Sequence, residues 1–254
     1  MIKTGYVIWS SLLLSILPFE NNAQDLGHIL NEAKQLEAGF KDKEALDKYL
    51  EVLRYQPTHI TALCKASELY SILGKRQTGK ENQKKYYNSA KEYAQKALQS
   101  NPNSAEANFV MAVALGRIAM ISSGDEKIKA INDVKSYAEK SIRFDPSSYK
   151  GYFVLGKWHY EVSDLSSIEK WLVKLAYGEL PDASLDVAIR NFEKSKQLNP
   201  GFLLAYLELA KSYHRKDNDA KAIEYLKTLL KLPNLHSDDA TIKKQAQKLL
   251  QQYK

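Results

Sequence analysis

The stretch Ala188-Ile-Arg-Asn-Phe-Glu-Lys-Ser-Lys-Gln-Leu-Asn-Pro200, with Tyr206, Leu209, Ala210 and Tyr213 after it, decides the fold. Ala188, Phe192 and Ser195 recur at i, i+4 and i+7, which is one face of a helix. The proline stops that helix, and a second set of apolar and small residues opens another. The same phrase occurs three more times. Ala45, Tyr49 and Val52 lead to Pro57; Ala90, Ala94 and Ala97 lead to Pro102; Val134, Ala138 and Ser141 lead to Pro146. The prolines stand 45, 44 and 54 residues apart. The helices that follow the first three carry Leu63, Ala66, Ser67 and Tyr70, then Asn108, Met111, Ala112 and Leu115, then Tyr152, Leu155, Gly156 and His159. Small residues in the third place let two helices approach closely, and the large ones fill the groove between them. Each proline is also expected to start the next helix, because its missing N–H costs nothing in a first turn.

Ala33 and Leu36 extend the pattern before Ala45, while Ala222, Leu226, Leu229 and Pro233 extend it after Tyr213. The middle units are longer than a uniform repeat. Their extra length falls around Gly74–Tyr87, around Ile121–Ala130 and above all around Val162–Pro181. Within the last of these, Asp164–Tyr177 places Leu165, Ile168, Trp171, Leu172, Leu175 and Ala176 on one face. It reads as an additional amphipathic helix, opened by Asp164 or by Ser166 with Glu169 and stopped by Gly178 and Pro181. Large, Leu, small, Tyr on one helix and Ala, aromatic, Ala before a proline on the next resemble the tetratricopeptide repeat. The expected fold is all-α: a right-handed superhelix of about five such pairs with one inserted helix.

Composition bounds the function. One cysteine, Cys64, in 254 residues rules out an intrachain disulfide framework and a cysteine-rich zinc site. The net charge of +7 favours acidic partners. The lysine-dense stretches Lys75–Lys85 and Lys243–Lys248 read as solvated helix surface, so no nucleic-acid partner is expected. Residues 1–23 differ from the rest. Lys3 precedes the apolar run Tyr6–Phe19, Pro18 breaks it, and Asn-Asn-Ala-Gln follows. The run is shorter than the roughly 20 residues of a spanning helix, so it reads as a secretory signal cut after Ala23. The helical repeat domain is then 24–254, exported and periplasmic; the alternative is an uncleaved N-terminal membrane anchor.

Leu155-Gly-Lys-Trp158, the Val162-Ser-Asp-Leu-Ser166 segment after it, and Gln197-Leu-Asn-Pro-Gly-Phe202 resemble the C-terminal repeat domain of the regulator of microtubule dynamics family. In that family a Leu-Gly-Arg-Trp segment leads into a Val-Ser-x-Leu-Ser helix, and a later helix ends in Leu-x-Pro-Gly-Phe. The resemblance covers about residues 60–250 and is strongest over 152–235. It implies a non-enzymatic adaptor, with microtubules among the family's partners and lipid binding in its tethering branch.

Nothing in the sequence assembles catalytic chemistry. Gly74-Lys-Arg-Gln-Thr-Gly79-Lys80 has the spacing of a phosphate-binding loop, but Glu81 stands where Ser or Thr should ligate magnesium, and the preceding segment is helical. His28, His59, His159, His214 and His236 form no ligand pair, and neither a cofactor nor a metal is expected. The expected working surface is the concave face. Phe109 and Val113, then Phe153, Lys157 and Tyr160, then Leu207, Lys211 and His214 would line it as apolar walls with a basic rim. Such a groove suits an acidic protein or peptide partner or, as the alternative, an anionic lipid. The functional expectation is a non-catalytic scaffold.

Overall fold

A computed structural model describes residues 20–165, Lys174 and residues 182–253. Among these residues are eleven helices and no strand. Five pairs follow one another: α1 (Glu20–Ala38) with α2 (Asp42–Tyr55), α3 (Ile60–Lys75) with α4 (Lys80–Ser100), α5 (Ala105–Ile121) with α6 (Gly124–Phe144), α7 (Tyr149–Ser163) with α8 (Leu185–Leu198), and α9 (Leu203–His214) with α10 (Asp219–Lys231). A last helix, α11 (Asp239–Gln252), ends the array. Each even-numbered helix packs on the odd-numbered helices on either side of it, and α3, α5, α7, α9 and α11 also touch in succession. The odd-numbered helices form the inner layer of a superhelix and the even-numbered ones its outer layer.

The four proline turns share one geometry. The residue before each proline donates its N–H to the end of the outer helix: Gln56 to Val52, Asn101 to Ala97, Asp145 to Ser141 and Asn199 to Ser195, at 2.8–3.0 Å. Its carbonyl then accepts from the residue three places on: His59, Ser104, Ser148 and Phe202, at 3.0–3.2 Å. The proline therefore occupies the second position of a β-turn, where its fixed φ is favoured. It does not start the next helix as the sequence suggested; that helix begins three residues later. At three of the turns a side chain adds a second bond, from Asn103 N–H to Asn101 Oδ1, Ser147 N–H to Asp145 Oδ1, and Gly201 N–H to Asn199 Oδ1. His59, Ser104 and Ser148 then cap α3, α5 and α7 through their side chains.

The outer-helix faces expected from spacing are all buried: Ala45, Tyr49 and Val52; Ala90, Ala94 and Ala97; Val134, Ala138 and Ser141; Ala188, Phe192 and Ser195. The extra length near Gly74–Tyr87 and Ile121–Ala130 goes into helix, since α4 and α6 each run 21 residues. Of the helix expected over Asp164–Tyr177, only Asp164, Leu165 and Lys174 are among the described residues. Asp164 caps the end of α7, and Leu165 and Ala183 both pack on the central core. The signal expected over residues 1–23 lies outside the described residues as far as Phe19. The cut expected after Ala23 falls within the first turn of α1.

Close approach between helices depends on small residues. A Cβ on Gly156 would stand 2.8 Å from two ring carbons of Phe192, which is itself fully buried. Gly74 is as tight, with a Tyr87 ring carbon at 2.6 Å. Cys64 is buried among Leu63, Phe109 and Met111, and burial pushes its thiol up to about 12.

Two outcomes follow from this packing. Gly156→Ala should destabilise the fold by about 1–3 kcal/mol, the cost typical of overpacking, with unchanged helical content by circular dichroism and a lower urea midpoint. Cys64 should resist a thiol reagent in the native chain at pH 8 and react once urea unfolds it. Fast native labelling would contradict its burial.

Candidate binding face

The inner layer carries a line of opposite charges. Glu37, at the end of α1, accepts from Lys65 of α3 at 2.8 Å and from the Tyr49 hydroxyl at 2.5 Å. Lys65 also stands 3.6 Å from Glu68, one turn further along α3. Lys150, at the start of α7, reaches Glu68 at 2.9 Å and Glu106 of α5 at 3.1 Å. Lys157 of α7 pairs with Glu161 at 2.7 Å and with Glu208 of α9 at 3.0 Å, and Lys211 takes the same Glu208 at 2.8 Å. Arg215 continues the line to Asp164 at 3.0 Å.

Exposed ion pairs contribute little, but one carboxylate here is set deeper. Glu208 is 4% exposed. Burial alone would raise its carboxyl; Lys157 and Lys211 outweigh that and hold it below its ordinary value. Glu68 is held down in the same way by Lys150 and Lys65, against the opposite pull of burial. Lys150 is raised in turn: burial works against its charge, and Glu68 and Glu106 overcome it.

The structure places each expected groove residue. Phe109 is buried, its ring covered by the Lys150 ammonium at 4.8 Å. Val113 is half-buried on the central core. Phe153 sits edge-on to Phe202 at 5.0 Å. Tyr160 lies between the Lys157 ammonium at 5.0 Å and the Arg215 guanidinium at 5.2 Å. His214 is exposed, bonded to Asp219 and stacked on Tyr253 at 3.8 Å. Leu207 is not a lining residue. It is 1% exposed, in the core cluster it shares with Ile242 and Ala246 of α11. The basic rim also differs from expectation, because Lys157 and Lys211 are both engaged by Glu208. The residues that sequence reasoning passed over are the acidic partners, Glu37, Glu68, Glu106 and Glu208, together with Lys150. Aligning the units gives the missing signal. Two places before the small residue stand Lys65 in one unit and Glu208 in another; one place after it stand Glu68, then Lys157 and Lys211.

The Gly74–Lys80 segment ends α3, turns and opens α4, and Lys75 and Arg76 are bonded to Asp238. On the outer side, α4 and α6 leave a depression of about 390 Å³ above Met111 and Leu115, bordered by Lys91, Lys129 and Tyr137. Among the described residues no three His, Cys, Asp or Glu side chains gather as a metal site. No described helix is long and apolar enough to cross a membrane.

Glu208→Gln should cost about 2 kcal/mol at pH 7, below the 3–5 kcal/mol of a fully buried pair because both lysines reach solvent. The Glu208 carboxyl is lowered in the folded chain, so its contribution is complete above the unfolded value near 4.3. It fades as pH falls towards the lower folded value. Urea unfolding at pH 7 and pH 3 should therefore show the gap between the two proteins narrowing in acid. A gap that stays constant would mean that folding leaves the titration of this carboxyl unchanged.

The architecture is shared with solved repeat proteins. The tetratricopeptide-repeat protein TTC0263 of Thermus thermophilus superposes with a TM-score of 0.64, covering 89% of this chain and 99% of that one at 16% identity. PilW, a type IV pilus biogenesis factor, gives 0.55 at 17% identity, covering 91% of this chain and 90% of that one. At these identities the likeness shows the fold alone. In sequence, regulator of microtubule dynamics protein 3 of Xenopus laevis is 27% identical over 219 residues, 85% of this chain and 47% of that protein. The human protein 2 is 26% identical over 174 residues, 68% of this chain and 42% of that protein. The chain thus spans about half the length of the curated relatives it matches. The family model described as regulator of microtubule dynamics protein 1-3 matches residues 29–254. The chain belongs to the regulator of microtubule dynamics family.

Proposed function

We propose that the chain is a non-catalytic adaptor that holds a segment of a protein partner against the inner layer of its superhelix. The observation that carries this reading is the inner line of ion pairs, in which Lys65, Lys150, Lys157 and Lys211 face Glu37, Glu68, Glu106, Glu161 and Glu208. Such a surface offers donors and acceptors of both signs at repeat spacing. A bound segment can substitute its own charges pair by pair, at little net desolvation cost. The lysines expected to select an acidic ligand are already neutralised, so the favoured partner has mixed charge rather than a run of acids. An acyl chain would need an apolar bore, and the described inner wall interrupts Val113, Phe153 and Tyr160 with ion pairs. Microtubule-associated assemblies come into consideration as partners through the relatives' names, and residues 1–23 as an export signal through their charge and hydropathy pattern.

A photo-reactive benzoylphenylalanine placed in the native host at Val113, at Tyr160 or at the exposed Tyr55 of the outer layer tests the reading. The two inner positions should yield one and the same protein adduct, absent at Tyr55. Adducts at Tyr55 alone, or the same adducts at all three positions, would reject inner-face binding.

A further inference from the structure

The second pair of the array meets the turn before its last helix. Lys75 and Arg76 finish α3 in the second pair, while Ser237 and Asp238 precede α11. Lys75 Nζ donates to Asp238 Oδ2 at 2.9 Å, across 163 residues of sequence. Arg76 donates to Asp238 Oδ1 through Nε at 3.2 Å and Nη2 at 2.8 Å, and through Nη2 to Ser237 Oγ at 2.8 Å. The same guanidinium stands 2.7 Å from Asp42, at the start of α2. The turn that offers Asp238 is itself held in shape. The Asp239 carboxylate accepts from the N–H groups of Leu235 at 2.7 Å and His236 at 2.8 Å, and Lys243 bonds the Leu232 carbonyl.

That turn bridges the inner face. On one side Leu235 lies so near the start of α9 that a Cβ on Gly201 would stand 3.0 Å from it. On the other, Ser237 and Asp238 hold the end of α3. The helices at this junction do not themselves pack: α3 and α11 are not in contact. Nor does Asp238 give α11 a side-chain cap. Its carboxylate is committed to α3.

We propose that Lys75, Arg76 and Asp238 form a clasp that holds the superhelix closed and gates entry of a partner segment to the inner face. The gating half rests on the adaptor reading above; the closure does not. Charge-assisted bonds focused on one carboxylate give the junction its direction. The cations are more than a third exposed, so salt and water weaken it. The closure can then open without disturbing any buried core.

Spin labels on cysteines placed at Lys80 and Lys244 read the closure by their distance distribution, and the buried Cys64 stays unlabelled. A cysteine at Val113 reads inner-face access by its rate of reaction with a polyethylene-glycol maleimide. Asp238→Lys and the milder Asp238→Ala should both lengthen and broaden the distance distribution, with unchanged helical content. Both should speed alkylation at position 113, Asp238→Lys by about ten-fold, and 1 M NaCl should move the unaltered chain the same way. Unchanged distances in both variants would overturn the clasp. Longer distances without faster alkylation would overturn the gating. Neither readout involves a partner, so failure here is separable from failure of the cross-linking test.

Discussion

The carbonyl oxygen of the residue before each repeat proline is the point on which the superhelix turns. It accepts from the amide three residues on, while the same residue's own amide closes the last turn of the outer helix. One residue thus fixes both the end of one helix and the direction of the next. A proline beside it has a set φ and no N–H to satisfy. Everything downstream inherits that angle: which face each inner helix shows to its neighbours, how tightly successive pairs stack, and where their side chains converge. The contribution of each hydrogen bond is about 1 kcal/mol, but the geometric effect recurs four times and accumulates.

The inner layer shows what that convergence does to charge. Lys150 sits in the fourth pair and bonds Glu68 in the second, passing over Glu106 of the third on the way. Such reach requires the inner layer to curve far enough to bring α7 within side-chain reach of α3. Curvature also removes water from Glu68 and Glu208, which would favour their neutral forms were the lysines not there. The charges are therefore part of the stacking, and a ligand on this face must offer something comparable in exchange.

The fold was legible in the sequence because its determinants are local. Ala90, Ala94 and Ala97, or Ala188, Phe192 and Ser195, announce a buried stripe through spacing alone, and Asn-Pro or Asp-Pro announces the turn. Gly156 was legible as a small residue, though not as the seat for the Phe192 ring. The binding face was less legible, because its pairings join residues far apart. Lys157 and Lys211 look like free cations until Glu208 is placed between them. Leu207 follows Tyr206 in a helix whose apolar face is broad, and only the presence of α11 decides that it is core. Arg76 falls in the lysine-dense stretch that reads as solvated helix surface, and nothing near it in sequence points to Asp238.

Arrays of helix pairs ordinarily behave as one-dimensional systems, in which each unit feels only its neighbours and the ends fray independently. The Lys150–Glu68 bond departs from that limit. It adds a next-nearest-neighbour coupling between the second and fourth pairs. Melting of the third pair would leave both charges in search of partners, so that pair gains protection from a bond in which none of its own residues takes part. Local opening in the middle of the chain then becomes costlier than at either end. The energetic grain of the molecule therefore runs from a cooperative centre outward.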